Sequence, residues 1–320
     1  MSHMTVSENA TLAAVGEFGL IDALTGLFTP GEQVLVGPGD DAALVAFPGN
    51  RVLVSTDLHV DTRHFRRDWA SALEIGHRVA AANLSDINAM GGRATALTVG
   101  LAAPADLPVS WALDLARGIA GEAALVGACV VGGDLTAADQ VMVAVTVLGT
   151  ADQPVRRSGA RPGDLVALAG RQGWAAGGLA VLARGFRSPR ALVEAYRRPE
   201  PPYAAGPEAA ALGATAMIDV SDGLLADAGH IARASGVALD IRSADLEVPE
   251  PLRAVGAALG VDPMRFVLTG GDDHALVATY PAGTALPDTW TVVGAVVEGE
   301  AVTVDGAGYD GPPGHAHFGG

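Results

Sequence analysis

Apolar side chains recur three and four residues apart over residues 18–28, 70–89, 107–125, 174–184, 223–234 and 251–259, the spacing of a helix with one buried face. Glycine closes several of these segments. Between them lie short runs rich in β-branched residues, at 52–55, 94–101, 129–131, 141–148, 165–169, 217–218, 237–241, 274–279 and 291–297, which predict strands. The two element types alternate in both halves, so the pattern predicts an α/β (α+β) chain.

Turn formers concentrate over 149–163, where Asp152, Pro154, Arg156-Arg157 and Arg161-Pro162-Gly163 separate two strand signals. The expected division is therefore a domain over 5–150 and a second over 151–320. The stretch 198–207 holds four prolines. It reads as an ordered crossover or surface loop, because the helix and strand pattern resumes directly after it. The opening Met1-Ser2-His3-Met4 resembles an expression remnant and is left out of the fold reading.

Composition narrows the chemistry. At 320 residues and 49% hydrophobic the chain has material for a large core, and its length suits roughly two domains of ~100–200 residues. No lysine occurs, so all 20 basic residues are arginine. A Walker-type phosphate loop, a Schiff-base enzyme and a Ser-Lys hydrolase are excluded together. A net charge of −16 argues against nucleic acid as a partner. The one cysteine, Cys129, lies in an apolar run, which excludes a disulfide framework and a cysteine zinc site and points to a reducing cytoplasm. No run approaches the ~18 apolar residues of a membrane span, and the N-terminus lacks the build of a signal peptide.

Aspartate outnumbers glutamate about two to one, and its positions carry the information. Glycine or serine stands beside aspartate in Gly39-Asp40-Asp41, Ser55-Thr56-Asp57, Gly132-Gly133-Asp134, Asp219-Val220-Ser221-Asp222-Gly223 and Gly270-Gly271-Asp272-Asp273. Short carboxylates on tight turns can converge on a hard cation, and Mg²⁺ is the leading candidate, held by a few carboxylates plus substrate phosphates. An acidic protein can then bind a polyanion. Taken singly, each pair is better explained as a turn or helix cap. Asp222 before Gly223 and Asp86 are the exceptions, and Asp86, falling among Ala and Ile on an apolar helix, requires a metal or arginine partner. Gly132-Gly133 offers close backbone approach to a phosphate or merely a bulge. Arg157, with Arg156 and Arg161, is the densest basic site or a solvated linker face. His64 follows the Ser-Thr-Asp loop by a few residues, a placement that suits a ligand contact or an ordinary surface histidine. A Gly-x-Ser-x-Gly elbow, a His-Glu-x-x-His zinc site, an EF-hand loop and a first Gly-x-Gly-x-x-Gly are all absent.

Read together, Gly16-Glu17-Phe18-Gly19, Gly39-Asp40-Asp41-Ala42, Ser55-Thr56-Asp57, His64-Phe65, Asn83-Leu84-Ser85-Asp86 with Met90-Gly91-Gly92, Gly132-Gly133-Asp134, Arg157-Ser158-Gly159, Asp219-Val220-Ser221-Asp222-Gly223 and Gly270-Gly271-Asp272-Asp273 resemble the thiamine-monophosphate kinase family in content and order. The resemblance spans nearly the whole chain. It implies the two-domain fold of the aminoimidazole ribonucleotide synthetase-like superfamily, with the N-terminal sheet pairing across a homodimer. It also implies ATP-dependent phosphorylation of thiamine monophosphate to thiamine diphosphate by in-line transfer. On that likeness Asp41, Ser55, Thr56, Asp57, Asp86, Asp134, Asp219 and Asp222 form the magnesium set, with Asp57, Asp86 and Asp222 central to catalysis. Gly133, Asp134, Arg157 and Ser221 would contact ATP, while His64, Asp272 and Phe318 would hold thiamine monophosphate.

This chain departs from the family's usual Gly-Gly-Glu-Asp-Tyr-Glu-Leu, reading Gly-Gly-Asp-Asp-His-Ala-Leu at 270–276, and it carries Ala116 where an aromatic is common. These departures bear on the thiamine and adenine contacts. Two other readings stay in view: a different ATP-dependent synthetase of the superfamily, and a non-catalytic nucleotide-binding regulator. Selenophosphate synthetase is disfavoured because the reactive cysteine or selenocysteine and the lysine near its start are missing.

Overall fold

A computed structural model describes residues 10–37 and 43–315. The helices are α1 (Leu12–Thr25), α2 (Ala72–Ala89), α3 (Val109–Leu125), α4 (Trp174–Leu182), α5 (Arg190–Arg197), α6 (Ala205–Leu212), α7 (Leu224–Ser235), α8 (Glu250–Leu259) and α9 (Met264–Thr269). The strands are β1 (Val34–Val36), β2 (Leu44–Val45), β3 (Leu53–Val60), β4 (Arg93–Ala103), β5 (Cys129–Ala137), β6 (Met142–Thr150), β7 (Leu165–Ala169), β8 (Ala216–Asp219), β9 (Ala238–Ile241), β10 (Leu276–Tyr280), β11 (Trp290–Val297), β12 (Val302–Val304) and β13 (Ala307–Gly308). They form two compact units. One takes residues up to 87 together with 93–150, and the other takes 88–92 together with 151 onwards.

The first unit is built on a sheet of order β3-β6-β4-β5, antiparallel except for the parallel pair β4 and β5. Along β6 the alternation is regular: Val143, Val145 and Val147 are buried, while the residues between them are only partly so. The other face carries Val54 and Leu58, both more than half exposed. Helix α2 starts with a capping box, in which the Ser71 N–H and hydroxyl donate to Glu74 Oε2 at 2.7 and 2.8 Å and the Glu74 N–H donates back to Ser71 Oγ at 3.3 Å. It meets α3 where Gly76 faces Gly118, backbone against backbone. A Cβ on Gly76 would strike the Leu115 carbonyl, and one on Gly118 the Leu73 carbonyl. That contact fixes the height at which α2 crosses, and so the placement of Asn83 and Asp86 further along it.

The second unit has a sheet of order β13-β12-β9-β11-β7-β10-β8, antiparallel apart from β9 with β12. Its core gathers Ala167, Ala169, Met217, Leu276, Ala278, Tyr280 and Trp290, with Ala89, Ala205 and Ala209 closing one side. Residues 88–92 are bonded into this unit. Asn88 Nδ2 donates to the Pro202 carbonyl at 3.1 Å, the Gly206 N–H donates to Asn88 Oδ1 at 3.0 Å, and the Val155 N–H donates to the Met90 carbonyl at 3.0 Å.

Several elements differ from the sequence expectation. Helix α1 covers 12–25 rather than 18–28, starting at a Thr11 cap and broken at Gly16, which has a φ of 74°. Strand β3 continues to Val60, five residues past the expected run 52–55. The proline-rich stretch leads into α6 at Ala205. Helices α5 and α9 and the strand pairs β1–β2 and β12–β13 are not among the expected elements. Among the described residues, no helix is long and apolar enough to cross a membrane.

Candidate active site

In the first unit, β3 presents Ser55 and Asp57 on the face toward the helices and Thr56 on the other. Ser55 Oγ donates to Asp86 Oδ2 at 2.6 Å. The sequence expectation of a buried Asp86 is met only in part: the side chain is half-buried, and a serine hydroxyl takes one of its oxygens. The Asp57 N–H donates to Asn83 Oδ1 at 3.1 Å, and Asn83 Nδ2 donates to the Val79 carbonyl at 2.8 Å. Asn83, fully buried, thus ties β3 to α2. Thr56 and Thr146 share a hydroxyl bond of 2.7 Å across the β3–β6 pair. Strand registers place Thr56, Thr146, Thr98 and Gly132 in one row across the sheet. Two residues on from Gly132, on the same face of β5, Asp134 is exposed. A Cβ at Gly133 would run into the Val99 carbonyl, so this strand position accepts only glycine without rearrangement. His64 is partly buried, and its Nδ1 accepts the Val60 N–H at 3.0 Å. His64 is therefore drawn as the neutral tautomer that is protonated on Nε2.

In the second unit, Asp219 ends β8 and is buried, with Oδ2 3.1 Å from His274 Nδ1. The turn that follows carries Ser221, exposed, and Asp222, half-buried. Asp227, in the first turn of α7, accepts the N–H groups of Asp222 and Gly223 at 3.0 and 3.1 Å. Burial pushes the Asp227 carboxyl up to about 7; those two N–H groups pull it down, and the charges of Asp219 and Asp222 push it further up. The turn before β10 lies against the same segment: the Asp272 N–H donates to the Ser221 carbonyl at 2.9 Å. Asp272 and His274 both have left-handed φ, 68° and 53°. Between them Asp273 is buried, its Oδ1 accepting the Ala175 N–H at 2.9 Å at the start of α4. Burial pushes Asp273 up to about 7 as well, against the N–H groups of Ala175 and Gly173. Arg157 is exposed, and its carbonyl accepts Ser235 Oγ at 3.2 Å. It lies within electrostatic reach of His230, whose imidazole is lowered by burial first, then by Arg233 and Arg157.

The structure therefore brings Ser55, Asp57 and Asp86 together around Asn83 in one unit, and Asp219, Ser221, Asp222 and Asp272 together in the other. Asp41 and Phe318 lie outside the described residues. Leu115 and Ala116 are buried in α3. Sequence reasoning missed Asn83 and Asp227 as holders of the loops; an acidic residue in the first helical turn, five after Asp222, is the signal that could have found the latter.

Magnesium fits the donor chemistry. Among the described residues no three His, Cys, Asp or Glu side chains form a closed cage. The sets around Asp57 and Asp222 offer only oxygen donors from carboxylates and hydroxyls, in small groups. That is the arrangement Mg²⁺ uses when waters and phosphates complete its shell.

Two mixed sheets with helices, carrying aspartates on β3, on α2 and in the turn after β8, define a class, and residues 39–151 match the family described as AIR synthase related protein, N-terminal domain. A thiamine-monophosphate kinase of Mycobacterium tuberculosis is 46% identical over 321 residues, covering 99% of this chain and 96% of its own. The crystal structure of the thiamine-monophosphate kinase of Stenotrophomonas maltophilia K279a superposes with a TM-score of 0.81 at 32% identity, covering 91% of this chain and 97% of that one. A structure described as AaThiL complexed with AMPPCP and TMP gives 0.80 at 32% identity, covering 98% and 100%. The chain belongs to the thiamine-monophosphate kinase family.

Proposed function

We propose that this protein transfers the γ-phosphoryl group of ATP to thiamine monophosphate, giving thiamine diphosphate and ADP. The likeness over full length to a relative named for that activity carries the reading, together with the fold shared with a structure holding an ATP analogue and TMP. A phosphate oxygen of thiamine monophosphate forms the new O–P bond as the β–γ bridging bond of ATP breaks. The attacking oxygen is already ionised, so the chain needs no strong general base and the absence of lysine is no obstacle.

On this reading the chain's task is to position two anions and balance charge. Asp41, Ser55, Thr56, Asp57, Asp86, Asp134, Asp219 and Asp222 are the proposed magnesium ligands, and bound Mg²⁺ would supply bridging and neutralisation of the phosphates. Asn83 supports the set by holding the Asp57 backbone. Gly133 allows close approach to ATP, Arg157 and Ser221 contact it, and His64, Asp272 and Phe318 hold thiamine monophosphate. The protein acts in the cytoplasm as a homodimer. The exposed apolar residues Val52, Val54 and Leu58 on β3 and before it, with Leu35 and Leu44 on β1 and β2, support pairing through the first unit's open face.

The test is an assay of purified protein with ATP, Mg²⁺ and thiamine monophosphate, resolving thiamine diphosphate and ADP by chromatography. Equal formation of both products, lost in Asp57→Asn, is the expected result. Nucleotide binding without thiamine diphosphate overturns the kinase reading.

A further inference from the structure

His274 has no role in the scheme above, yet the fold holds it in a costly place. Its φ of 53° is left-handed, a conformation that is strained for a residue other than glycine. Its imidazole is buried, with the side chain 6% exposed, and meets the carboxylate of Asp219, 7% exposed, at 3.1 Å. An ionised carboxylate can only accept, so Nδ1 is the donor.

The surrounding backbone brings the two residues together. Strand register sets Leu276 opposite Asp219. The Val220 N–H donates to the Ala275 carbonyl at 2.7 Å, and the His274 N–H donates to the Val220 carbonyl at 3.2 Å. On its other side the turn is pinned to the start of α4 by the bond from the Ala175 N–H to Asp273 Oδ1. The imidazole therefore sits on a support fixed from two directions. A donor so held settles how the carboxylate is turned.

We propose that His274 is a positioning residue for Asp219: its Nδ1–H holds Oδ2 and so fixes the orientation in which the carboxylate meets a divalent cation. The inference rests on the reading of Asp219 as a magnesium ligand. It does not place His274 in contact with the cation or the substrates. Packing alone predicts that any side chain of similar bulk would serve; positioning predicts that the donor is what counts.

The test is the affinity of the full chain for Mn²⁺, read by paramagnetic resonance in the presence of β,γ-methylene-ATP so that no turnover is needed. His274→Phe keeps an aromatic ring and removes the donor. Its Mn²⁺ affinity should fall about tenfold or more, the scale seen when an outer-shell partner of a metal ligand is lost. His274→Asn offers an N–H near the position of Nδ1 and tolerates left-handed φ, so it should recover most of the affinity. Equal affinity in wild type and His274→Phe overturns the inference, as does His274→Asn behaving like His274→Phe. A wild type that takes up no Mn²⁺ overturns the metal reading itself, and the inference with it. If the Phe variant does not melt cooperatively, the Nδ1 resonance of His274 in the wild type decides. It should shift when Mg²⁺ and the analogue are added, and an unmoved resonance overturns the inference.

Discussion

Asn83 carries more of the first unit's acidic cluster than its uncharged side chain suggests, because its two polar atoms bond a strand backbone on one side and its own helix on the other. Asn83→Leu should leave the Asp57 N–H and the Val79 carbonyl without these bonds. The expected loss is about 1–3 kcal/mol of stability, read by denaturant titration, with a fall in kcat larger than any change in KM for ATP. Asp273 gives a prediction of opposite character. Its carboxyl is pushed from 3.8 up to about 7 in the folded chain, so the folded state holds the proton more tightly. That contribution is fully present below about pH 4 and is lost as pH rises through about 7. Asp273→Asn keeps an oxygen for the Ala175 N–H and cannot ionise. Its melting temperature relative to wild type should therefore rise from pH 5 to pH 8, and a difference that stays constant or falls would contradict the assignment. The sequence exposed the aspartates of both clusters through the glycine and serine beside them, although Ser55-Thr56-Asp57 lies within β3 and Gly132-Gly133-Asp134 within β5 rather than in the loops expected. It concealed the amide and the buried acids that set them, because Asn83 and Asp273 act through backbone N–H groups supplied by distant segments, and Asp227 through the turn just before its own helix.

Helix α2 was legible almost to its ends, expected at 70–89 and found at Ala72–Ala89, because its apolar face and its Ser71–Glu74 cap agree. Strand β3 was legible only in its first half: Asp57 and His59 break the hydrophobic run, while the pairing with β6 continues to Val60. Helix α5 buries Leu192, Val193, Ala195 and Tyr196 on one face, but over only eight residues, too short a stripe to stand out, and α6 has no such stripe and is set by packing in the second unit. The contact of α2 with α3 is a backbone crossing that no pattern of apolar positions could reveal. Gly118→Ala should force the two helices apart, costing about 1–3 kcal/mol by calorimetry. It should also lower turnover although it lies outside both acidic clusters, because α2 carries Asn83 and Asp86. An unchanged melting temperature would mean that the crossing adjusts freely.

At the scale of the whole molecule, the first unit leaves one sheet face apolar and open, with Val54 at 59% and Leu58 at 55% exposure. Leu58→Glu should convert a dimer into a monomer by sedimentation velocity; a monomeric wild type would remove this face from the account. The net charge of −16 adds a second expectation. Mg²⁺ together with ATP should raise the melting temperature by mass action, while ATP with a chelator should do so far less. The connectivity of the two units has a practical consequence for dissecting the protein. Residues 88–92 leave the first unit, bond to Pro202, Gly206 and Val155 of the second, and return. A gene cut after residue 150 therefore yields two fragments that are each incomplete: one displays an orphaned five-residue insertion, and the other lacks a piece of its own wall. Co-expressing both fragments, rather than purifying either alone, is the arrangement that can restore the missing bonds.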